Sequence, residues 1–207
     1  MVTARSGSRR ERRTSRSQSP SPGVSRNDRL AQGVARSRIL AGPATRSQEN
    51  LTIDDLTIRP VVPEDADQLG ELFTGFATGP EARKFHPHPL TAQEALKIAV
   101  GGATRKDLYY GAFLGDRIVG YGMLRGWDEG YSVPSFGVAV DAAYRGLGIG
   151  RNMLRYAIDC ARKRGAIRLM LKVDSDNPDA RHLYESEGFV FQEIPEDPAQ
   201  LKGLLEL

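Results

Sequence analysis

The amino-acid sequence predicts a mixed α/β domain, a central sheet with helices on its faces. Three observations predict it. Residues 108–126 read as two strands joined by a tight turn, and the second half of the chain alternates strand with helix. Between those halves Gly146, Gly148 and Gly150 crowd the point where a strand gives way to an amphipathic run. The resulting order is β-α-α-β-β-β-α-β-α-β, closed by a short strand.

Each element has its own signal. "LTIRPV" (56–61) alternates in the manner of a strand. "PEDADQLGELFTGF" (63–76) opens with acids that suit a helix N-terminus and puts Ala66, Leu69 and Phe73 on one face. In "TAQEALKIAV" (91–100), Thr91 and Glu94 have capping-box spacing. "LYYGAFLGDRIVGYGMLRG" (108–126) is a hairpin turning at Gly115-Asp116, and "SVPSFGVAVD" (132–141) is a further strand. After the glycines, Ile149, Met153, Leu154, Ala157, Ile158 and Ala161 recur at helical spacing. "AIRLMLKV" (166–173) is a buried strand. "NPDARHLYESEG" (177–188) is a helix with Asn177 as cap, Pro178 at its first position and Gly188 past its end. "FVFQEI" (189–194) is another strand, and "LKGLLEL" (201–207) the short last one.

The glycine cluster invites a phosphate. A P-loop requires Lys and Ser/Thr after its last glycine, but Arg151 and Asn152 follow Gly150. A dinucleotide fingerprint beginning at Gly146 needs glycine where Arg151 stands, and it belongs to an opening βαβ unit. A helix start whose free N–H groups face a pyrophosphate survives. On the turn alone, a glycine-rich connection with no ligand stands level with it.

Two longer stretches change that balance. "GVAVDAAYRGLGIGRNML" (137–154) contains Q/R-x-x-G-x-G/A at residues 145–150 and strongly resembles the acetyl-CoA motif of the GNAT N-acetyltransferase superfamily. "DNPDARHLYESEGFV" (176–190) resembles that superfamily's second signature, in which Asn, Ala, Leu-Tyr and Gly-Phe recur at this spacing. The resemblance covers roughly residues 56–194, including the order of elements. It implies a GNAT-like acyl-CoA N-acyltransferase fold, a mixed central sheet of six to seven strands flanked by about four helices. "IPEDPAQLKGLLEL" (194–207) leaves little room for the usual seventh strand.

What the resemblance implies for the site can be stated residue by residue. Backbone N–H groups from Gly146 through Gly148, Ile149 and Gly150 to Arg151 would bind the CoA pyrophosphate, with Arg145 beside it. Val138 and Val140 would pair through their backbones with the pantetheine arm, which Asn177 would also contact. The Val140 N–H would serve the oxyanion, and Tyr184 would be the general acid for the CoA thiolate. The amine must shed a proton, because a free alkylamine has a pKa near ~10.4. Glu129, or failing it Asp128, lies in "RGWDEGYS" (125–132) near the acceptor end and is the candidate base; a solvated turn carboxylate is the plain alternative. His86 and His88 in "FHPHPLT" (85–91) would either orient a substrate or stiffen a loop.

The implied activity is direct acetyl transfer from acetyl-CoA, as co-substrate, to a primary amine: an amino sugar, another small amine, an amino acid or a protein N-terminus. The competing class is a non-catalytic acyl-CoA sensor, or a nucleic-acid-associated module. A homodimer is compatible with either.

Charge divides the chain. Residues 1–50 hold 11 Arg, no Lys and three acids, a formal +8, while residues 51–207 hold 18 basic and 23 acidic side chains, a formal −5. The first segment lacks aromatic residues and is rich in Arg, Ser, Pro and Gly, the composition of a disordered tail. It reads as a dispensable extension from an early start codon, as a nucleic-acid arm, or as a transit peptide. The expected boundary is therefore 1–50 tail and 51–207 acetyltransferase domain. Cys160 is the single cysteine and lies in an amphipathic run, so no intrachain disulfide or thiolate cluster forms. With the three histidines scattered, no metal is expected. No signal-peptide core and no apolar run long enough to span a membrane occurs, which points to the cytoplasm.

Overall fold

The computed structural model describes residues 52–79, 82, 84, 85, 87–102 and 104–207; the basic tail and His86 lie outside the described residues. The strands are β1 (Leu56–Pro60), β2 (Leu108–Leu114), β3 (Arg117–Arg125), β4 (Ser135–Val140), β5 (Arg168–Asp174), β6 (Val190–Glu193) and β7 (Gln200–Glu206). The helices are α1 (Ala66–Thr78), α2 (Ala92–Gly101), α3 (Ile149–Lys163) and α4 (Pro178–Ser186).

One seven-stranded sheet runs in the order β1-β2-β3-β4-β5-β7-β6. The first four strands form an antiparallel meander, and β4 meets β5 in parallel. The chain's end corrects an expectation. The last strand spans seven residues and inserts between β5 and β6, pairing antiparallel with both. The 194–199 turn is enough to send it back, because Gln200 N–H donates to the Asp197 carbonyl at 3.1 Å and closes that turn.

Strand alternation sends side chains to two cores. On one face Phe113 and Tyr121 meet Leu69, Phe73 and Phe76 of α1 and Ile98 of α2. On the other, Tyr110, Leu124 and Leu171 meet Met153, Leu154 and Ala157 of α3. The helix starts follow the sequence signals. Thr91 accepts the Glu94 N–H, and Asn177 accepts the Ala180 N–H at 3.3 Å. The predicted 63–76 helix instead begins with a 3-10 turn at Pro63–Asp65, where Asp65 is buried against Arg59 at 2.6 Å. That pairing holds the Asp65 carboxyl below the usual carboxylate range.

Candidate functional site

The parting of β4 and β5 creates the main cleft. The two strands share one registered pair, Ser135 with Met170, beside which Met170 N–H donates to the Pro134 carbonyl at 3.0 Å. Beyond it β4 runs on with β3 as its neighbour. Asp141 N–H donates to Val119 on β3, so alternation turns the backbone groups of Val138 and Val140 the other way, into the gap. The Val140 carbonyl accepts from Arg145 Nε at 3.4 Å on that side. The gap widens into a cavity of about 800 Å³, walled by Val138 and Val140 on one side and by Asn177, Leu183 and Tyr184 on the other.

The glycine turn forms the mouth of this cavity. Asp141 Oδ1 accepts the Ala143 N–H at 3.0 Å and shapes a 3-10 turn at Ala142–Tyr144. The chain then twists through Gly146 and Gly148, whose φ values of 76° and 79° lie in the left-handed region. Only at Asn152, whose N–H donates to the Gly148 carbonyl at 3.1 Å, does α3 bonding begin. Among the described residues, the backbone N–H groups of residues 146–151 meet no protein acceptor. A run of free N–H groups at the positive end of a helix dipole is a site for an anion. Ile149 buries its side chain, so only its backbone is available there.

Arg145 is exposed at the same mouth. Arg151 is committed elsewhere through its side chain. Its guanidinium bonds Ser186 Oγ at 3.0 Å and Glu187 at 2.6 Å, and Arg155 joins Glu187 at 3.0 Å. The hydrogen bond from Arg155, seconded by Arg151, holds the Glu187 carboxyl below its ordinary value. This cluster ties the start of α3 to the end of α4, and so fixes the two walls of the cleft.

Tyr184 stands in the α4 wall. Its ring is wedged against Phe136, Phe189 and Phe191 at centroid distances of 6.2, 5.8 and 6.5 Å. Among the described residues its hydroxyl has no hydrogen-bond partner, and burial pushes that hydroxyl up to about 12. It is therefore protonated throughout the physiological range.

A second cavity, of about 600 Å³, lies where β4 and β5 meet. Met123, Val133 and Met170 give it apolar walls, with Arg125, Glu129 and Ser135 as polar groups. Met123 is the partition between the cavities: its Cε would stand 2.5 Å from a Cβ at Gly137, which lines the larger one. Glu129 sits here, paired with Arg125 at 3.5 Å. Asp128 does not line either cavity, and its Oδ1 accepts the Lys106 N–H at 2.8 Å.

Neither Asp107 nor Arg125 carries a motif that singles it out. Asp107 is 4% exposed, and its Oδ1 accepts the N–H groups of Gly126, Trp127 and Asp128. It thereby sets the loop that carries Glu129. Burial raises its pKa, and the neighbouring Asp128 and Glu129 add to that rise. His88 is spent on structure. Its Nδ1 reaches the Pro89 carbonyl at 3.0 Å, so that nitrogen carries the proton and Nε2 accepts from the Tyr121 hydroxyl at 2.9 Å. Cys160 is half-buried on α3. Among the described residues no group of three or more His, Cys, Asp or Glu is arranged to hold a metal ion. No described helix is long and apolar enough to cross a membrane.

Comparison with known proteins adds three findings. Residues 68–189 match the model of the acetyltransferase (GNAT) family. Among curated relatives, the chain is 42% identical over 89 residues to the N-alpha-acetyltransferase RimI of Mycobacterium tuberculosis, covering 42% of this chain and 54% of that protein. It is 42% identical over 65 residues to the streptothricin acetyltransferase of Streptomyces lavendulae, covering 31% and 33% respectively. The chain thus spans from a third to about half the length of these relatives. Among solved structures, the fold matches YncA of Salmonella typhimurium, solved with acetyl-CoA, at a TM-score of 0.63 and 21% identity, over 74% of this chain and 94% of that one.

Proposed function

This chain belongs to the acetyltransferase (GNAT) family, and from that premise we propose that it moves the acetyl group of acetyl-CoA directly to a primary amine. The observation that carries the reading is the run of N–H groups at residues 146–151, without acceptors among the described residues, at the mouth of a cleft between parted strands. The donors suit the residue types a CoA molecule presents. The N–H run, with Arg145 beside it, suits a pyrophosphate. The open edge of β4 at Val138 and Val140 suits an arm that carries amides, and Asn177 borders the same space. The Asn177 side chain also caps α4, and its two roles use different lone pairs or the amide donors.

Acetyl-CoA supplies a thioester carbonyl and a thiolate leaving group. Glu129, in the adjoining cavity, takes a proton from the incoming ammonium and passes it to solvent. The Val140 N–H bonds the carbonyl oxygen as negative charge gathers on it. Tyr184 donates a hydrogen bond to the sulfur. A hydroxyl near 12 faces a thiol near ~8.5, so its proton moves only as the second nitrogen proton replaces it. In balance, the C–S bond breaks as the C–N bond forms, one nitrogen proton reaches solvent and one reaches sulfur.

The two relatives' names, an N-alpha-acetyltransferase and a streptothricin acetyltransferase, point to different acceptors, so the acceptor is not inherited from them. The test is thiol release from acetyl-CoA with and without an amine panel, repeated with Glu129→Gln. At least one primary amine should accelerate release, and the variant should lose roughly 10²-fold in kcat/KM at neutral pH, with the loss shrinking as pH rises. CoA binding with no amine-dependent release from any amine would make this an acyl-CoA-binding module instead. A Glu129→Gln variant with unchanged rate and pH profile would pass the proton to a water chain.

A further inference from the structure

The cavity beside β4 holds a feature that general amine acetylation does not use. Arg125 lines it with a guanidinium that has five N–H groups. One donates to the Pro87 carbonyl at 2.9 Å, and another makes a long 3.5 Å contact with Glu129. Each Nη keeps a second N–H that meets no acceptor among the described residues, and the planar edge of a guanidinium matches a two-oxygen anion. Glu129, of opposite sign, stands next to it on a loop held by Asp107. The rest of the lining is the flexible and apolar Met123, Met170 and Val133.

From this juxtaposition we infer that the acceptor is a free α-amino acid with an apolar side chain. Its carboxylate binds the Nη groups of Arg125, its ammonium faces Glu129, and its side chain enters the Met123–Val133–Met170 wall. An α-amino acid carries its two charges on adjacent atoms, as the neighbouring Arg125 and Glu129 require. A plain alkylamine leaves the guanidinium unanswered. A polyamine brings further positive charge beside Arg125, and an amino sugar offers neutral hydroxyls where the anion should be. A peptide N-terminus offers a neutral carbonyl where the anion should be. The volume of about 600 Å³ falls in the range of small-molecule sites.

This inference rests on the acetyl-transfer reading, and the experiment separates their failures. Thiol release is measured with L-norleucine, its carboxamide, n-pentylamine, spermidine and a norleucine-headed tetrapeptide. Direct titration of L-norleucine and its carboxamide onto CoA-saturated protein accompanies it. The free acid should exceed the carboxamide and pentylamine by about 10²-fold in kcat/KM. Arg125→Gln should erase that preference by lowering the rate on the acid far more than the rate on the carboxamide; the ratio of the two rates is the readout, and the melting temperature and CoA affinity are the controls for folding. Equal use of acid and carboxamide, or a best rate on spermidine or the tetrapeptide, overturns the inference and leaves acetyl transfer standing. Binding of the acid over the carboxamide without turnover upholds the inference and sinks the transfer. Absence of binding by the acid sinks the inference whatever the rates.

Discussion

Tyr184 combines close aromatic packing with a proposed role as proton donor. Three aromatic rings fix its ring, so removing only the hydroxyl leaves the contacts in place. Tyr184→Phe should keep the melting temperature and the acetyl-CoA KM, yet lower kcat by about 10-fold or more under conditions where chemistry limits turnover. With the hydroxyl near 12, the wild-type profile should show no tyrosine limb below about pH 11. An unchanged kcat in the variant removes Tyr184 from the chemistry. The Leu-Tyr pair was legible because its motif is local. Asp107 and Arg125 were not, because what distinguishes them from ordinary loop charges is burial against residues about 20 and 38 positions away.

Residues 87–90 are pinned to the sheet through His88, which bonds the Tyr121 hydroxyl on β3. Burial lowers the His88 pKa from its ordinary 6.5, opposed by Glu94 and reinforced by Arg125 and Arg105. A depressed value means the fold favours neutral imidazole. That stabilisation is complete above 6.5 and is lost as pH falls below it toward the folded-state value. Protonation also converts Nε2 from acceptor to donor and sets it against the Tyr121 hydroxyl, which can then only accept. The melting temperature should therefore fall between pH 7 and pH 5, and His88→Gln should shrink that fall. An equal fall in both proteins would show the pin to be insensitive to charge. The His-Pro pattern suggested either stiffening or substrate contact; the hydrogen bonds of His88 suit stiffening, and His86 lies outside the described residues. At this scale the hairpin, the capped helices and the glycine turn were readable, since each is encoded by residues a few positions apart. The pairing of β7 was not. Its run of alternating residues states that it is a strand, while its place between β5 and β6 depends on which edges the rest of the sheet leaves open.

The sheet parts at the seam between β4 and β5. The β-α-β-α-β order of the second half was visible in the sequence, and so was the glycine turn at residues 146–150. The place where β4 leaves β5 was not, because it is set by long-range packing on both faces. Two cavities open along that seam, the larger lined by the glycine turn and the smaller by Arg125 and Glu129. The central claim is that the glycine turn binds the CoA pyrophosphate there, and calorimetric titration of CoA tests it. Gly148 and Gly165 have nearly the same left-handed φ, 79° and 77°, and a Cβ at either meets nothing within 4 Å. Glutamate at either position therefore pays a similar backbone strain of about 1–2 kcal/mol. Of the two, Gly148 lines the larger cavity, while Gly165 follows the far end of α3. Gly148→Glu should weaken CoA binding at least ~10²-fold, through its carboxylate and its bulk, while Gly165→Glu binds as the wild type does. Wild-type affinity in a folded Gly148→Glu protein, or equal losses in both variants, would contradict the account.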